Sequence, residues 1–231
     1  MSIEIKHGSL LESGAPIIAH QVNCQGVMGA GVAKAIRKKY PSVYELYREQ
    51  CKVQGSTLLG TTLLVPVYTD GQQFLDGRVI KTRPLAVTIA NCYAQDGYGR
   101  TGVQTSYPHL RKSLTILREY ALSHGGDEVI AMPYKIGCGL AGGNWPTVLE
   151  IIEEVFEEYP GGVQLWCLDG KTEFVLCDDA GRYYTGQTGT EGDLVTAARK
   201  FYAFRHETLA AAQAAAEDFR GQGYNFSCVE A

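Results

Sequence analysis

No apolar run in these 231 residues approaches the roughly 18 that a bilayer span requires. Met1 to Gly8 carries charges and histidine where a secretory leader would need an apolar stretch. A cytoplasmic protein with no membrane partner is expected. The seven cysteines, at 24, 51, 92, 138, 167, 177 and 228, are odd in number, scattered and never spaced C-x-x-C. That argues against a disulfide framework and against a zinc knuckle, so neither a metal site nor a cofactor is expected. No cysteine has arginine six residues later, which removes the C-x5-R loop of cysteine phosphatases. Positive charge is not in excess either: the net charge is −4 and the pI near 5.8, which gives no electrostatic footprint for duplex nucleic acid. The cationic group Lys34, Arg37, Lys38 and Lys39 lies on one helix and reads as a solvated face.

What remains is an ordinary globular composition, 45% hydrophobic and 20% charged, in a chain long enough for one substantial domain and a small appendage. Ile3 to Lys6, Pro16 to Val22, Thr61 to Val67, Leu85 to Cys92, Glu128 to Met132 and Val163 to Leu168 read as strands. Helical patterns alternate with them: Val32 to Tyr40, Pro41 to Gly55, Leu110 to Ala121, and the stretch after Asn144 with its stripe of Leu149, Ile152 and Phe156. Gly71 to Gly77 reads as a loop or a hairpin end. Such alternation predicts an α/β fold with a largely parallel sheet covered on both faces. Composition shifts after Asp169-Gly170, giving expected domains of 1–169 and 170–231. The second is an α+β module: a hairpin around Asp178 to Gly181, a glycine- and threonine-rich loop to Gly192, a helix through Leu209 and Phe219, and a strand from Tyr224.

Two stretches carry the chemistry. The nearly all-apolar run Pro16 to Val22 enters a turn with Asn23, Gly26, Gly29 and Gly31, then a helix. Glycines there allow close approach of a ligand, and the unpaired N–H groups of a helix start favour an anion. The spacing is G-x-x-G-x-G, so the dinucleotide fingerprint G-x-G-x-x-G is not met in this loop. The second stretch, Pro133 to Gly143, also follows a strand and precedes a helix. Both loops leave the carboxyl edge of the expected sheet, where open α/β folds bind ligands, and together they predict a phosphate-binding cleft.

Three ordered motifs, GSLLES near the start, VNCQGVMGAGVA in the first loop and PYKIGCGLAGGNW in the second, resemble the macro domain family over about residues 1–168. The resemblance implies a three-layer α/β/α fold with a mixed sheet. It also implies a ligand that is ADP-ribose or a derivative, free or carried by an ADP-ribosylated protein. On that basis Asn23, Gly29, Ala30, Gly31 and Val32 would surround the distal ribose. Ile136, Gly137, Cys138, Gly139 and Leu140 would offer backbone N–H groups to the phosphates. Ser9 and Leu10 would lie at the adenine end, with the Ser9 hydroxyl where the family usually has aspartate.

The family's glutamate- and DNA-directed ADP-ribose hydrolases use a lysine after the central strand and an aspartate in the second loop. Here the corresponding positions read Asn91-Cys92-Tyr93 and Ala141. The fungal ADP-ribose-1''-phosphate phosphatases instead carry I-H-x-x-N-C-x-G, which matches Ala19 to Gly26 except at its first residue. That resemblance implies catalytic roles for His20 and Asn23 and hydrolysis of ADP-ribose 1''-phosphate. A non-catalytic ADP-ribose reader is the alternative, and a de-ADP-ribosylating hydrolase a third. Arg100 could clamp a terminal phosphate but reads more simply as a solvated loop residue.

Overall fold

The computed structural model describes residues 3–75, 78–99 and 101–168, and beyond them 174–178, 183–188, 194–197, 205–206, 209–222 and 224–230. The chain divides into two compact units, Met1–Leu168 and Asp169–Ala231.

In the first unit the order is β1 (Ile3–His7), β2 (Ile17–Asn23), α1 (Gly31–Lys39), α2 (Pro41–Gln54) and β3 (Thr62–Tyr68). There follow β4 (Gly71–Leu75), β5 (Arg78–Thr82), β6 (Leu85–Gln95), α3 (Tyr107–Ser123), β7 (Ile130–Pro133), α4 (Trp145–Val155) and β8 (Val163–Cys167). Six strands form one sheet in the order β1-β8-β7-β2-β6-β3, parallel throughout except that β3 runs antiparallel to β6. β4, in the stretch expected as a loop or hairpin end, pairs antiparallel with β5 in a two-stranded sheet of their own. No larger sheet selects a period-2 pattern for them, and that pattern is the usual sequence sign of a strand.

β2 sits centrally between β7 and β6, which is why its residues 17–20 are all buried. Alternate residues of β2 and β6 face α1 and α2: Ile18 and Ile89 pack with Ile36 and Val43, while Val22 and Tyr93 pack with Tyr47, Cys51 and Leu58. α3 packs on β6 and on α4. α4 starts as expected, with Asn144 Oδ1 accepting from Thr147 N at 3.2 Å and Pro146 in its first turn. Its buried face is broader than a three-residue stripe: Val148, Leu149, Ile151, Ile152 and Val155 are all buried.

The second unit has its own core of Leu176, Ala212, Ala216 and Phe226, with Tyr184, Phe219 and Tyr224 packed against it. Strand β9 (Phe174–Asp178) pairs antiparallel with β10 (Tyr183–Thr188), β12 (Arg205–His206) and β13 (Phe226–Glu230). β11 (Leu194–Ala197) pairs with β10, and α5 (Leu209–Gly221) carries Ala212 and Ala216. β11 and β12 were not expected, having four and two residues with little pattern to read. Residues 179–181 of the expected turn and 189–192 of the loop lie outside the described residues. Among the described residues no helix is long and apolar enough to cross a membrane.

Candidate functional site

β2 ends at the first glycine loop and β7 at the second, and both strands run in the same direction. The two loops therefore leave one edge of the sheet. Between them is a cleft of about 560 Å³, within the size range of small-ligand sites. Asn23, Gly29, Ala30, Gly31 and Val32 line it from the first loop, and Ile136, Gly137, Gly139 and Leu140 from the second. His20 belongs to its floor. Cys138 is not among the lining residues; its thiol lies 3.4 Å from Ile136 O. Ser9 precedes the 3-10 turn Leu10–Glu12, Leu10 is buried, and neither residue lines the cleft. Arg100 lies outside the described residues.

Asn23 organises the first loop. Its Oδ1 accepts from Gln25 N at 2.9 Å and Val27 N at 3.2 Å, and its Nδ2 donates to Val27 O at 2.7 Å. From behind, the Tyr47 hydroxyl lies 2.8 Å from Asn23 O and 2.9 Å from Oδ1. Asn23 is thus mostly occupied in shaping the backbone that follows it. Past this turn α1 begins at Gly31 after Ala30, which gives no side-chain cap to the first-turn N–H groups, and Gly31, Val32 and Ala33 line the cleft.

The second loop keeps fewer free donors than the sequence suggested. Ile136 N is bonded to Pro133 O at 3.0 Å and Cys138 N to Lys135 O at 2.9 Å, because the chain turns tightly there. The N–H groups of Gly137, Gly139 and Leu140 have no protein acceptor among the described residues. Gly137 has φ +73°, and a Cβ on it would lie 2.5 Å from Gln21 Oε1.

Gln21 is a residue the sequence reading overlooked, although an amide beside His20 in a largely apolar central strand was a signal. Its Nε2 donates to Gln95 Oε1 and to Thr105 Oγ1, both at 2.9 Å. Thr105 Oγ1 donates on to Gly137 O at 2.6 Å, and Gln95 Nε2 to Gly97 O at 2.8 Å. This chain ties β2, the segment after β6 and the second loop into one frame. Gln95, Tyr98, Tyr134, Lys135 and Ala141 also line the cleft and were not foreseen as ligand contacts.

His20 stands opposite Asn91 in the β2–β6 pairing, and its Nε2–H donates to Asn91 Oδ1 at 2.8 Å. The tautomer follows from Asn91, whose Nδ2 donates to Leu63 O at 3.2 Å and so leaves Oδ1 as acceptor. The imidazole is 1% exposed, and Nδ1 is buried with no partner among the described residues. Burial lowers its pKa from 6.5 to about 4, only partly countered by the bond to Asn91. At neutral pH it is an uncharged ring with one unused lone pair. The cysteines offer no competing nucleophile there: burial pushes the thiols of Cys24, Cys92 and Cys138 up to about 11, 12 and 12. Ala141, at the position of the hydrolases' aspartate, has no acidic group, and no carboxylate is among the described lining residues.

The sequence profile described as "Macro domain" matches residues 19–152. An ADP-ribose 1''-phosphate phosphatase of Debaryomyces hansenii is 30% identical over 168 residues, covering 66% of this chain and 88% of that protein. The human ADP-ribose glycohydrolase OARD1 is 31% identical over 140 residues, 61% of this chain and 74% of its own. Among solved structures, the macrodomain of Mycobacterium tuberculosis DarG superposes with a TM-score of 0.56 at 21% identity, over 71% of this chain and 96% of that one.

Proposed function

The chain belongs to the macro domain family, and from that premise we propose that it binds ADP-ribose 1''-phosphate in the two-loop cleft and hydrolyses it to ADP-ribose and phosphate. The observation that carries this reading is the cleft itself. Two stretches with backbone N–H groups left without a protein acceptor among the described residues, the start of α1 and the second loop, both line one space of small-ligand size. The likeness to phosphatases of this substrate extends over 88% of one relative's length.

Hydrolysis adds water across the bond between phosphorus and the ribose oxygen: the water oxygen joins phosphorus, and the sugar oxygen leaves with a proton. In the proposed reaction the Nδ1 lone pair of His20 takes the proton of the attacking water, and Asn91 Oδ1 steadies the charged ring through Nε2–H. Asn23 contributes by holding the loop that surrounds the sugar. The substrate is a small molecule met in the cytoplasm, a setting supported by the free thiols of Cys24, Cys51, Cys92, Cys138, Cys167 and Cys177.

A second reading, a reader that binds free or protein-linked ADP-ribose without turnover, is favoured by one observation: the His20 ring is 1% exposed and a weak base. Incubating purified protein with ADP-ribose 1''-phosphate and measuring phosphate, beside a titration with ADP-ribose, separates the two. Binding with phosphate release supports the phosphatase. Binding without release supports the reader, and absence of binding overturns both.

A further inference from the structure

Lys135 opens the second loop with φ +59°, the only positive φ outside glycine among the described residues. Side chains other than glycine adopt that region at a cost, and such strain persists where the surroundings or the function require it. The side chain is not idle. Its ammonium lies 5.2 Å from the centroid of the Tyr134 ring, and that ring meets Trp145 edge-on at 5.1 Å. It is near enough to the Cys138 thiol to oppose the upward push of burial there. It is exposed and forms no ion pair among the described residues.

The rest of the cleft makes this cation distinctive. His20 is neutral, and the other described lining residues are apolar, amide, phenol or glycine, so Lys135 carries the only formal charge there. Backbone N–H groups recognise the shape of a phosphate but carry no net charge. An ammonium carried by the same loop adds attraction that grows with the ligand's charge.

We infer that Lys135 is the charge-selecting residue of the cleft: its ammonium, propped on the Tyr134 ring above the second glycine loop, recognises the diphosphate of a nucleotide-type ligand. This rests on the function proposed above and names the side chain that discriminates by charge. The strained backbone is what aims the lysine over the loop.

The test is calorimetric titration of the full chain with ADP-ribose at about 50 mM and about 500 mM salt, because an exposed charge is screened over that range. Lys135→Gln should raise Kd by about tenfold at the lower salt, with the gap closing at the higher, and Lys135→Arg should restore wild-type affinity to within about threefold. Lys135→Gly should lose the same affinity while melting no lower than wild type, since glycine relieves the strain. A purely structural lysine would instead lower the melting temperature and affinity together, at both salts. Wild-type affinity in Lys135→Gln at low salt overturns the inference, as does a loss that salt does not change. Inorganic pyrophosphate, followed by the amide resonances of Gly137 and Gly139, separates the two claims. If wild type binds pyrophosphate in a Lys135-dependent way but not ADP-ribose, the proposed function fails and the role of Lys135 stands. If it binds neither, the role of Lys135 fails as well.

Discussion

Replacing Gly137 by alanine would strain the frame under the second loop at one identifiable atom. The new Cβ would lie 2.5 Å from Gln21 Oε1 and 3.1 Å from Thr105 Oγ1, in a backbone conformation with φ +73°. The conformation alone costs about 1 kcal/mol for a residue with a side chain. Gln21 cannot swing aside freely, because its Nε2 is held by Gln95 and Thr105. Displacing it loses those two bonds, at about 1 kcal/mol each. The expected destabilisation is therefore about 3 kcal/mol, and for a domain of this size the melting temperature should fall by about 6–12 °C. Urea unfolding of Gly137→Ala, Gln21→Ala and the double variant would apportion it. Gln21→Ala removes the atom that the Cβ meets, so the two changes should be non-additive by about 2 kcal/mol. A melting temperature within about 2 °C of wild type, or simple additivity, would refute the account of Gln21 as the brace of this loop.

Other consequences are as direct. His20 has a folded-state pKa of about 4 against 6.5 when unfolded, so between those values only the unfolded chain takes up the proton and stability falls as pH falls. The full loss is about 3 kcal/mol, reached below pH 4, and urea unfolding of His20→Gln against pH should show that part of the slope removed. Tyr47→Phe deletes the buried hydroxyl beside Asn23 O and Oδ1 and should cost about 1–2 kcal/mol by the same assay. An unchanged midpoint would mean the loop does not lean on Tyr47. A chain ending at residue 169 retains every described residue that lines the cleft and should bind ADP-ribose with wild-type affinity by calorimetry. Weakened binding in a folded truncation would bring the second unit into the site.

The fold was legible wherever local pattern and burial agree. The apolar run into Asn23 is buried because β2 is central, and Asn144 with Pro146 starts α4 because a cap and a first-turn proline act through neighbouring residues alone. The two glycine loops were legible because loop chemistry is written in consecutive residues. Pairings between distant residues were not. That His20 would face Asn91 depends on β2–β6 register, and that Gln21 would meet Gln95, Thr105 and Gly137 depends on three segments converging. The excess of expected phosphate donors has a local cause, the turn geometry of the second loop. Ile136 and Cys138 look like their neighbours in sequence, yet the turn consumes both N–H groups. Lys135 escaped notice because a lysine amid glycines reads as a solvated side chain until its φ and its ring shelf are known.

In the proposed function this cleft hydrolyses a phosphate monoester on ADP-ribose with His20 as the proton acceptor. This reaction is tested most directly by the rate of phosphate release from ADP-ribose 1''-phosphate by wild type and His20→Ala, with ADP-ribose affinity measured on the same preparations. Steady release by wild type is expected. For His20→Ala the kcat should be lower by about 100-fold or more, with Kd for ADP-ribose within about threefold, since the loops and not the imidazole supply the binding. Undiminished release by His20→Ala, or binding by wild type with no phosphate formed, would contradict it.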